Sequence, residues 1–323
     1  MPPFQARDLL PAWVKAWRRR TREIRSRRRG NRPATPDAAA ASFGALVDDR
    51  KRWLFATLPP AAAELHWDIF TKDSQKRLAR RLGLEVARDF ATGVTLDAAF
   101  DRIEELRLDR FVIKPTSSFG ARACRSLVRD GDRFRDLHTG RRWKPGRLER
   151  VLRREHGRRR PDAWIVEELL LPVDGALRPI EDYKLYCFGA TVELILHKRA
   201  LPRPKTYRAQ FHDRDWAPVN VGLEDHDDPV VAVPIHGKQV VETGERIASQ
   251  LCYPFIRIDL YDTLRGIVLG EFTPGPGRAY GFNPTWNARL VKRWHEAAAE
   301  IEEGIRAGKI SPLGVEEALA GTS

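Results

Sequence analysis

Hydrophobic and polar positions recur along this chain with two different periods. Between Asp68 and Leu82 the apolar residues include Ile69, Leu78 and Leu82, which predicts a helix, and Gly83 follows as its C-cap. Gly83-Leu84-Glu85-Val86 then predicts the start of a strand. Asp97 to Leu108 predicts a second amphipathic helix and Arg110 to Lys114 a strand, which Pro115 halts because proline has no N–H to give a ladder. Small residues from Thr116 to Ala123 predict a loop, Gly146 to His156 an arginine-rich helix, and Ala163 to Leu171 an apolar strand interrupted only by Glu167 and Glu168. Period-two runs then predict two hairpins: Tyr183 to Phe188 turning at Gly189-Ala190 into Thr191 to His197, and Phe255 to Tyr261 returning as Ile267 to Thr273. Pro202 and Pro204 predict an extended loop from His197 to Trp216, and Val291 to Arg306 predicts a closing helix. The fold class is α+β, without an internal repeat.

The first 45 residues stand apart. Ala6 to Arg29 is compatible with a helix and carries Trp13, Val14 and Trp17 beside a dense arginine run, and Pro33 to Ala41 reads as a linker. Two readings stay open: a solvated basic tail, or an interfacial membrane helix with Trp13 and Trp17 on one face at i, i+4 spacing. The expected organisation is a basic tail over 1–45, an N-terminal α+β subdomain over 46–115, a subdomain with a phosphate loop and hinge over 116–172, a catalytic subdomain over 173–310 and a C-terminal tail over 311–323.

Composition narrows the function classes. With 42% hydrophobic and 31% charged residues in 323, the chain can bury a sizeable core. Cys124, Cys187 and Cys252 are odd in number and lack CxxC spacing, which argues against a disulfide framework and a structural zinc site. No run approaches the roughly 18 apolar residues of a spanning helix, and no secretory signal opens the chain. The expected location is therefore the cytoplasm, with peripheral association at the inner face of the membrane through the basic tail as a further expectation. A formal charge of +13 implies an anionic partner without choosing among nucleotide, nucleic acid, glycan and lipid.

Candidate chemistry lies on the strands. In Phe255 to Tyr261, Ile256, Ile258 and Leu260 face one side while Arg257 and Asp259 face the other; on the returning strand Glu271 and Thr273 share a face opposite to Val268 and Phe272. A turn near Leu264-Arg265 brings Asp259 across from Glu271. Two facing carboxylates repel unless a cation lies between them, and oxygen-ligated Mg²⁺ suits the pair, although for the hairpin taken alone a solvated charged face is the better account. Phe111-Val112-Ile113-Lys114-Pro115 delivers a lysine at a strand end just before Thr116-Ser117-Ser118-Phe119-Gly120-Ala121, a loop whose N–H groups and hydroxyls could surround phosphate oxygens. The GxxxxGK[ST] order of a P-loop is absent. Glu167 and Glu168 sit in an apolar strand, where carboxylates are costly without partners. Asp182, Lys184 and Tyr186 share one strand face, and the strand after them ends in His197-Lys198-Arg199.

Taken in order, Lys72, Lys114 with its loop, the Glu167-Glu168 strand, Asp182-Tyr183-Lys184, Arg257-x-Asp259 and Glu271-x-Thr273 resemble the ATP-grasp superfamily. The wording EDYKLYCFG, RIDLY, GEFTPGPG and FNPTW resembles its TupA-like family, named from teichuronopeptide biosynthesis, over about Trp67 to Leu290. The resemblance implies an ATP-grasp fold in which two subdomains with antiparallel sheets enclose ATP. It implies that Lys114 holds the α- and β-phosphates with help from Lys72, and that Ser117, Ser118 and Gly120 form the phosphate loop. By the same resemblance the strand at Glu167, Glu168 and Leu169 offers backbone groups to adenine, and Asp182 binds ribose. Asp259, Glu271 and Thr273 would ligate one or two Mg²⁺ ions, Thr273 standing where relatives carry Asn. Arg257, Lys184 and Arg199 would neutralise phosphate and the charge developing at the reacting carbon. The implied activity is a carboxylate–amine ligase with an acyl-phosphate intermediate, acting on a carboxylate-bearing small molecule or glycan and an amine or hydroxyl acceptor in cell-surface polysaccharide or peptide-glycan biosynthesis. An ATP-grasp kinase and a basic module for RNA or acidic glycan are the rivals; Arg141 to Arg160 supports the second but lacks the interleaved aromatics of a single-strand binder, so no specific nucleic acid is expected.

Overall fold

The computed structural model describes residues 42–58, 63, 72–116, 123–157, 161–201, 206–223, 233–276 and 279–310. Helix α1 (Phe43–Thr57) opens them, with the Ser42 hydroxyl capping Ala45 N–H at 3.2 Å. Phe43 and Val47 of this helix are fully buried, so the globular part begins inside the stretch expected to be tail. Helix α2 (Lys72–Arg81) follows, then the short β1 (Glu85–Val86), β2 (Asp89–Val94) and α3 (Leu96–Glu105).

One six-stranded antiparallel sheet has the order β2-β7-β3-β4-β5-β6, with β3 (Arg110–Pro115), β4 (Arg125–Asp130), β5 (Arg133–Asp136), β6 (Arg142–Trp143) and β7 (Trp164–Glu168). Its strands alternate, and Phe111, Ile113, Leu127, Phe134, Trp164 and Val166 pack against Leu96, Ala99, Phe100 and Ile103 of α3 and Leu148 and Leu152 of helix α4 (Pro145–His156). The same alternation sends Lys114 and Glu167 to the other face.

The second sheet has the order β1-β12-β11-β8-β9-β10, with β8 (Asp182–Phe188), β9 (Thr191–Leu201), β10 (Thr206–His212), β11 (Ile256–Thr263) and β12 (Gly266–Thr273); only β1 runs parallel to its neighbour. Helix α5 (Gly237–Leu251) covers one face with Val240, Val241, Ile247 and Leu251 against Leu185, Cys187, Ile195, Ile256 and Ile258. The crossing is close at Gly244, where a Cβ would lie 2.4 Å from the Leu185 side chain. Helices α1 and α6 (Pro284–Arg306) cover only part of the opposite face, with Trp286, Leu290 and Trp294 over Tyr186, Phe188, Leu194 and Phe211.

Two segments depart from the sequence expectation. The described residues between His197 and His212 are strand rather than loop, because β9 continues to Leu201 and pairs with β10 from Leu201↔Thr206 to Ile195↔His212; Pro202 and Pro204 lie outside the described residues. On β12, Val268 and Phe272 lie in different clusters rather than on one face, because a bulge at Gly270 shifts the alternation by one residue. Glycine is required there, since a Cβ would meet the Tyr261 ring at 2.8 Å.

Helix α2 ties the two sheets together. The buried Gln75 amide donates to Phe272 O at 2.9 Å and accepts from Phe272 N at 3.1 Å, taking the place of a neighbouring strand where the short β1 has ended. One residue on, Lys76 reaches the first sheet.

Candidate active site

On four adjacent strands of the second sheet one face changes from apolar to charged, along a line that slants across the strands because Arg257 pairs with Tyr186 and Lys184 with Leu196. Phe188 and Tyr186 give way to Lys184 and Asp182 on β8, Leu194 and Leu196 to Lys198 on β9, and Phe255 to Arg257 and Asp259 on β11; β12 adds Glu271 and Thr273. The apolar end lies under α6. The charged end carries a network centred on Asp259, which is 2% exposed. Lys184 Nζ lies 2.5 Å from Asp259 Oδ2 and 2.5 Å from Asp182 Oδ2. Arg257 donates through Nε to Asp259 Oδ1 at 2.6 Å and through Nη2 to Asp259 Oδ2 at 2.8 Å and Thr273 Oγ1 at 3.0 Å. Burial pushes the Asp259 carboxyl up, but Arg257 and Lys184 outweigh it and hold the group below its ordinary value. Burial likewise works against the Lys184 ammonium, and Asp182 and Asp259 overcome it.

Asp259 stands opposite Glu271, and Arg257 opposite Thr273. Among the described residues Asp182 Oδ1 is buried without a hydrogen-bond partner, an acceptor suited to a ribose hydroxyl. Lys198, opposite Asp182, has no ion pair among the described residues; its Nζ sits 3.7 Å from the centroid of the Tyr207 ring. Burial first, and the neighbouring Lys184 charge second, lower its pKa.

The first sheet contributes a second ionic group. Glu167, 6% exposed, receives Lys114 on Oε1 and Lys76 on Oε2, the latter at 2.7 Å, and Lys76 also holds Asp89 and, at 3.1 Å, Ala87 O. Desolvation opposes both charges, yet Glu167 keeps the Lys114 ammonium above the usual lysine value and Lys114 and Lys76 keep Glu167 below the usual carboxylate value.

The remaining expected residues fall as follows. Lys72 is the first residue of α2, one turn before Lys76. Ser117, Ser118 and Gly120 lie outside the described residues, although Thr116, which leads into them, is tied by N–H and hydroxyl to Ala163 O at 2.9 and 3.1 Å. The Glu168 N–H donates to Arg88 O at 2.8 Å, its carboxylate meets Arg265 at 3.3 Å, and Leu169 beyond it is 6% exposed. Arg199 does not join Lys184. It lies on the α5 side of the sheet with His197, where its Nε donates to Glu181 Oε1 at 2.6 Å. The cause is a bulge at Glu193, which pairs Asp182 with Lys198 instead of His197 and so turns Lys198 to the charged face and Arg199 away.

Glu181, absent from the sequence reading, also meets His197 Nε2 at 2.6 Å and Tyr183 Oη at 3.2 Å. Burial raises its pKa, but His197 and Arg199 more than reverse this and bring it down to about 2. A carboxylate depressed below its unfolded value contributes stability above about pH 4.5 that is lost as pH falls toward 2, here of order 3 kcal/mol. Glu181→Gln is therefore expected to flatten the fall in stability between those pH values, and urea titrations along that series would show it.

Two largely antiparallel sheets bridged by one helix, one with a half-buried lysine at a strand end and the other with register-paired acids and cations, form the architecture of the ATP-grasp fold. The sequence pattern of the TupA-like ATP-grasp family matches residues 74–291, and the chain belongs to that family. No curated protein matches the sequence. Similar solved structures include the D-alanine–D-alanine ligase of Helicobacter pylori, at 13% identity and a TM-score of 0.41 over 72% of this chain and 58% of that one. The D-Ala:D-Ser ligase VanG of Enterococcus faecalis is 13% identical, with a TM-score of 0.44 over 75% and 63%. The ATP-grasp ligase PsnB, solved with its minimal precursor, Mg and ADP, is 16% identical, with a TM-score of 0.44 over 93% and 76%. The chain thus spans less than two thirds of the length of the first two.

Proposed function

We propose that the protein is an ATP-dependent carboxylate–amine ligase that works through an acyl phosphate in cell-surface polysaccharide or peptide-glycan biosynthesis. The charged end shared by four strands carries this reading, because phosphoryl transfer needs fixed charge and positioning rather than a protein nucleophile. Lys114 receives the α- and β-phosphates and Asp182 Oδ1 a ribose hydroxyl. A substrate carboxylate oxygen attacks the γ-phosphorus, ADP leaves, and an amine then attacks the acyl carbon and expels phosphate, losing a proton to solvent. Arg257, held by Asp259, faces the charge that develops at the acyl carbon.

The donors Asp259, Glu271 and Thr273 are all oxygen, which fits Mg²⁺. Among the described residues no three His, Cys, Asp or Glu side chains cluster as a metal site, and Asp259 already accepts from Arg257 and Lys184, so Asp259 and Glu271 would hold the ion with Asp259 shared between it and those cations. When bound it supplies charge neutralisation between the phosphates.

Lys198 is the cation of this face left over for the substrate carboxylate. Lys198→Met is expected to lower kcat/KM for that substrate about 10- to 100-fold while ATP affinity stays within about threefold, since a charge-assisted hydrogen bond contributes roughly 1.5–3 kcal/mol. An ATP cosubstrate favours a cytoplasmic reaction. Among the described residues no helix is long and apolar enough to cross a membrane.

The reading is tested by incubating the protein with ATP, Mg²⁺ and a panel of amino acids and acidic sugars. Phosphate release that requires both a carboxylate and an amine, with an amide product by mass, supports it. A phosphorylated product that accumulates without an amine replaces it with a kinase.

A further inference from the structure

At the outer edge of the first sheet, three strands from β3, α4 and β6 enclose a concavity of about 660 Å³ lined by Arg141, Trp143, Arg147, Arg150, Val151 and Arg154. Leu148 and Leu152 turn into the core, and the spacing of three and four residues puts Arg147, Arg150 and Arg154 together on an exposed face of α4. The guanidinium carbons of Arg141 and Arg147 lie 6.0 and 5.6 Å from the centroid of the half-buried Trp143 ring.

The basic residues just outside the concavity are neutralised: Arg142 pairs with Asp130 at 2.7 Å, Lys144 with Asp132 at 3.7 Å, and Arg153 with Asp97 at 2.5 Å. Those inside are not. Among the described residues Arg141, Arg147, Arg150 and Arg154 form no ion pair, and Arg150 meets only the Gly146 carbonyl, at 3.2 Å. Four like charges converging on one hollow repel, and an arrangement that leaves them unpaired while pairing their neighbours is suited to an external polyanion.

The surroundings select the kind. No exposed large hydrophobic side chain lines the hollow, so it lacks the apolar group that would insert into a bilayer. Trp143 is its single aromatic, whereas single-stranded nucleic acid is held by successive stacking rings. Guanidinium forks spaced along a helix match carboxylates or phosphates spaced along a sugar chain. We propose that this hollow is a second binding site, separate from the nucleotide cleft, for an acidic glycan chain. It does not depend on which reaction the cleft performs.

The test uses the full chain, fluorescently labelled oligogalacturonate, and anisotropy at fixed salt, with poly-uridylate and phosphatidylglycerol vesicles as competing probes. R147Q/R150Q/R154Q is expected to weaken oligogalacturonate binding at least about tenfold with ATP affinity unchanged, which also shows that the variant is folded. R18Q/R19Q/R20Q in the basic tail is expected to leave it unchanged. The proposal is overturned if the tail variant loses as much as the helix variant, if the helix variant binds normally, or if poly-uridylate or the vesicles bind the hollow more tightly than the glycan.

Discussion

Glu271→Ala is expected to lower Mg²⁺-dependent turnover by about 10³-fold, the scale on which single charge-stabilising groups act in reactions of this kind. Glu271 reaches its position only because the bulge at Gly270 removes one residue from the ladder, so that β12 presents it, rather than Gly270, to Asp259. The residues that hold the hairpin, Ile258, Leu260, Leu269 and Phe272, face the α5 side and are untouched by the substitution. Thermal stability should therefore change by less than about 1 kcal/mol, as for other substitutions away from the core. Steady-state turnover across a Mg²⁺ titration, with a melting curve beside it, separates the two effects. Wild-type turnover at ordinary Mg²⁺ would remove the metal assignment, and a large fall in melting temperature would make the loss structural.

The sequence made the strands legible and left parts of their pairing hidden. Period two in Phe255 to Tyr261 places Arg257 and Asp259 on one face whatever the neighbours do. Which residue of the next strand faces them is set by bulges: Glu193 carries no local sign of one, whereas Gly270 interrupts its strand with the residue type that marks a bulge. At Glu193 the shift replaces His197 by Lys198 opposite Asp182, so the cationic strand end turns a different cation to this face, and Arg199 meets Glu181 instead. At Gly270 the shift has the opposite outcome and completes the expected Asp259–Glu271 pair. Helix α5 lies outside the expected elements although its pattern is legible: its buried residues recur at three- and four-residue spacing from Gly237 to Leu251, with glycine at two of those positions. Lys76, by contrast, was hidden. Its partners Asp89 and Glu167 lie 13 and 91 residues away, and nothing local distinguishes it from the other basic residues of α2.

That hidden lysine governs what happens when its acid is removed. Glu167→Ala is expected to cost about 3 kcal/mol, the lower end for breaking a buried ion pair, because Lys76 keeps Asp89 while Lys114 loses its carboxylate hydrogen bond. For a chain of this size that corresponds to a fall in melting temperature of roughly 5 °C. The same substitution changes the nucleotide site. Burial pulls the Lys114 ammonium toward the neutral form, and Glu167 is the main charge opposing it, so as pH rises ATP binding should weaken earlier in the variant than in the wild type. Adding Lys114→Met removes the stranded cation, and E167A/K114M is expected to recover most of the lost stability while binding ATP poorly at every pH, as replacing a buried ion pair by apolar groups is often neutral. Melting temperatures and ATP titrations of the two single variants and the double variant close a cycle. Additive stability losses would show that Lys114 and Glu167 are not coupled, and an ATP affinity in K114M equal to that of the wild type would take Lys114 out of the nucleotide site.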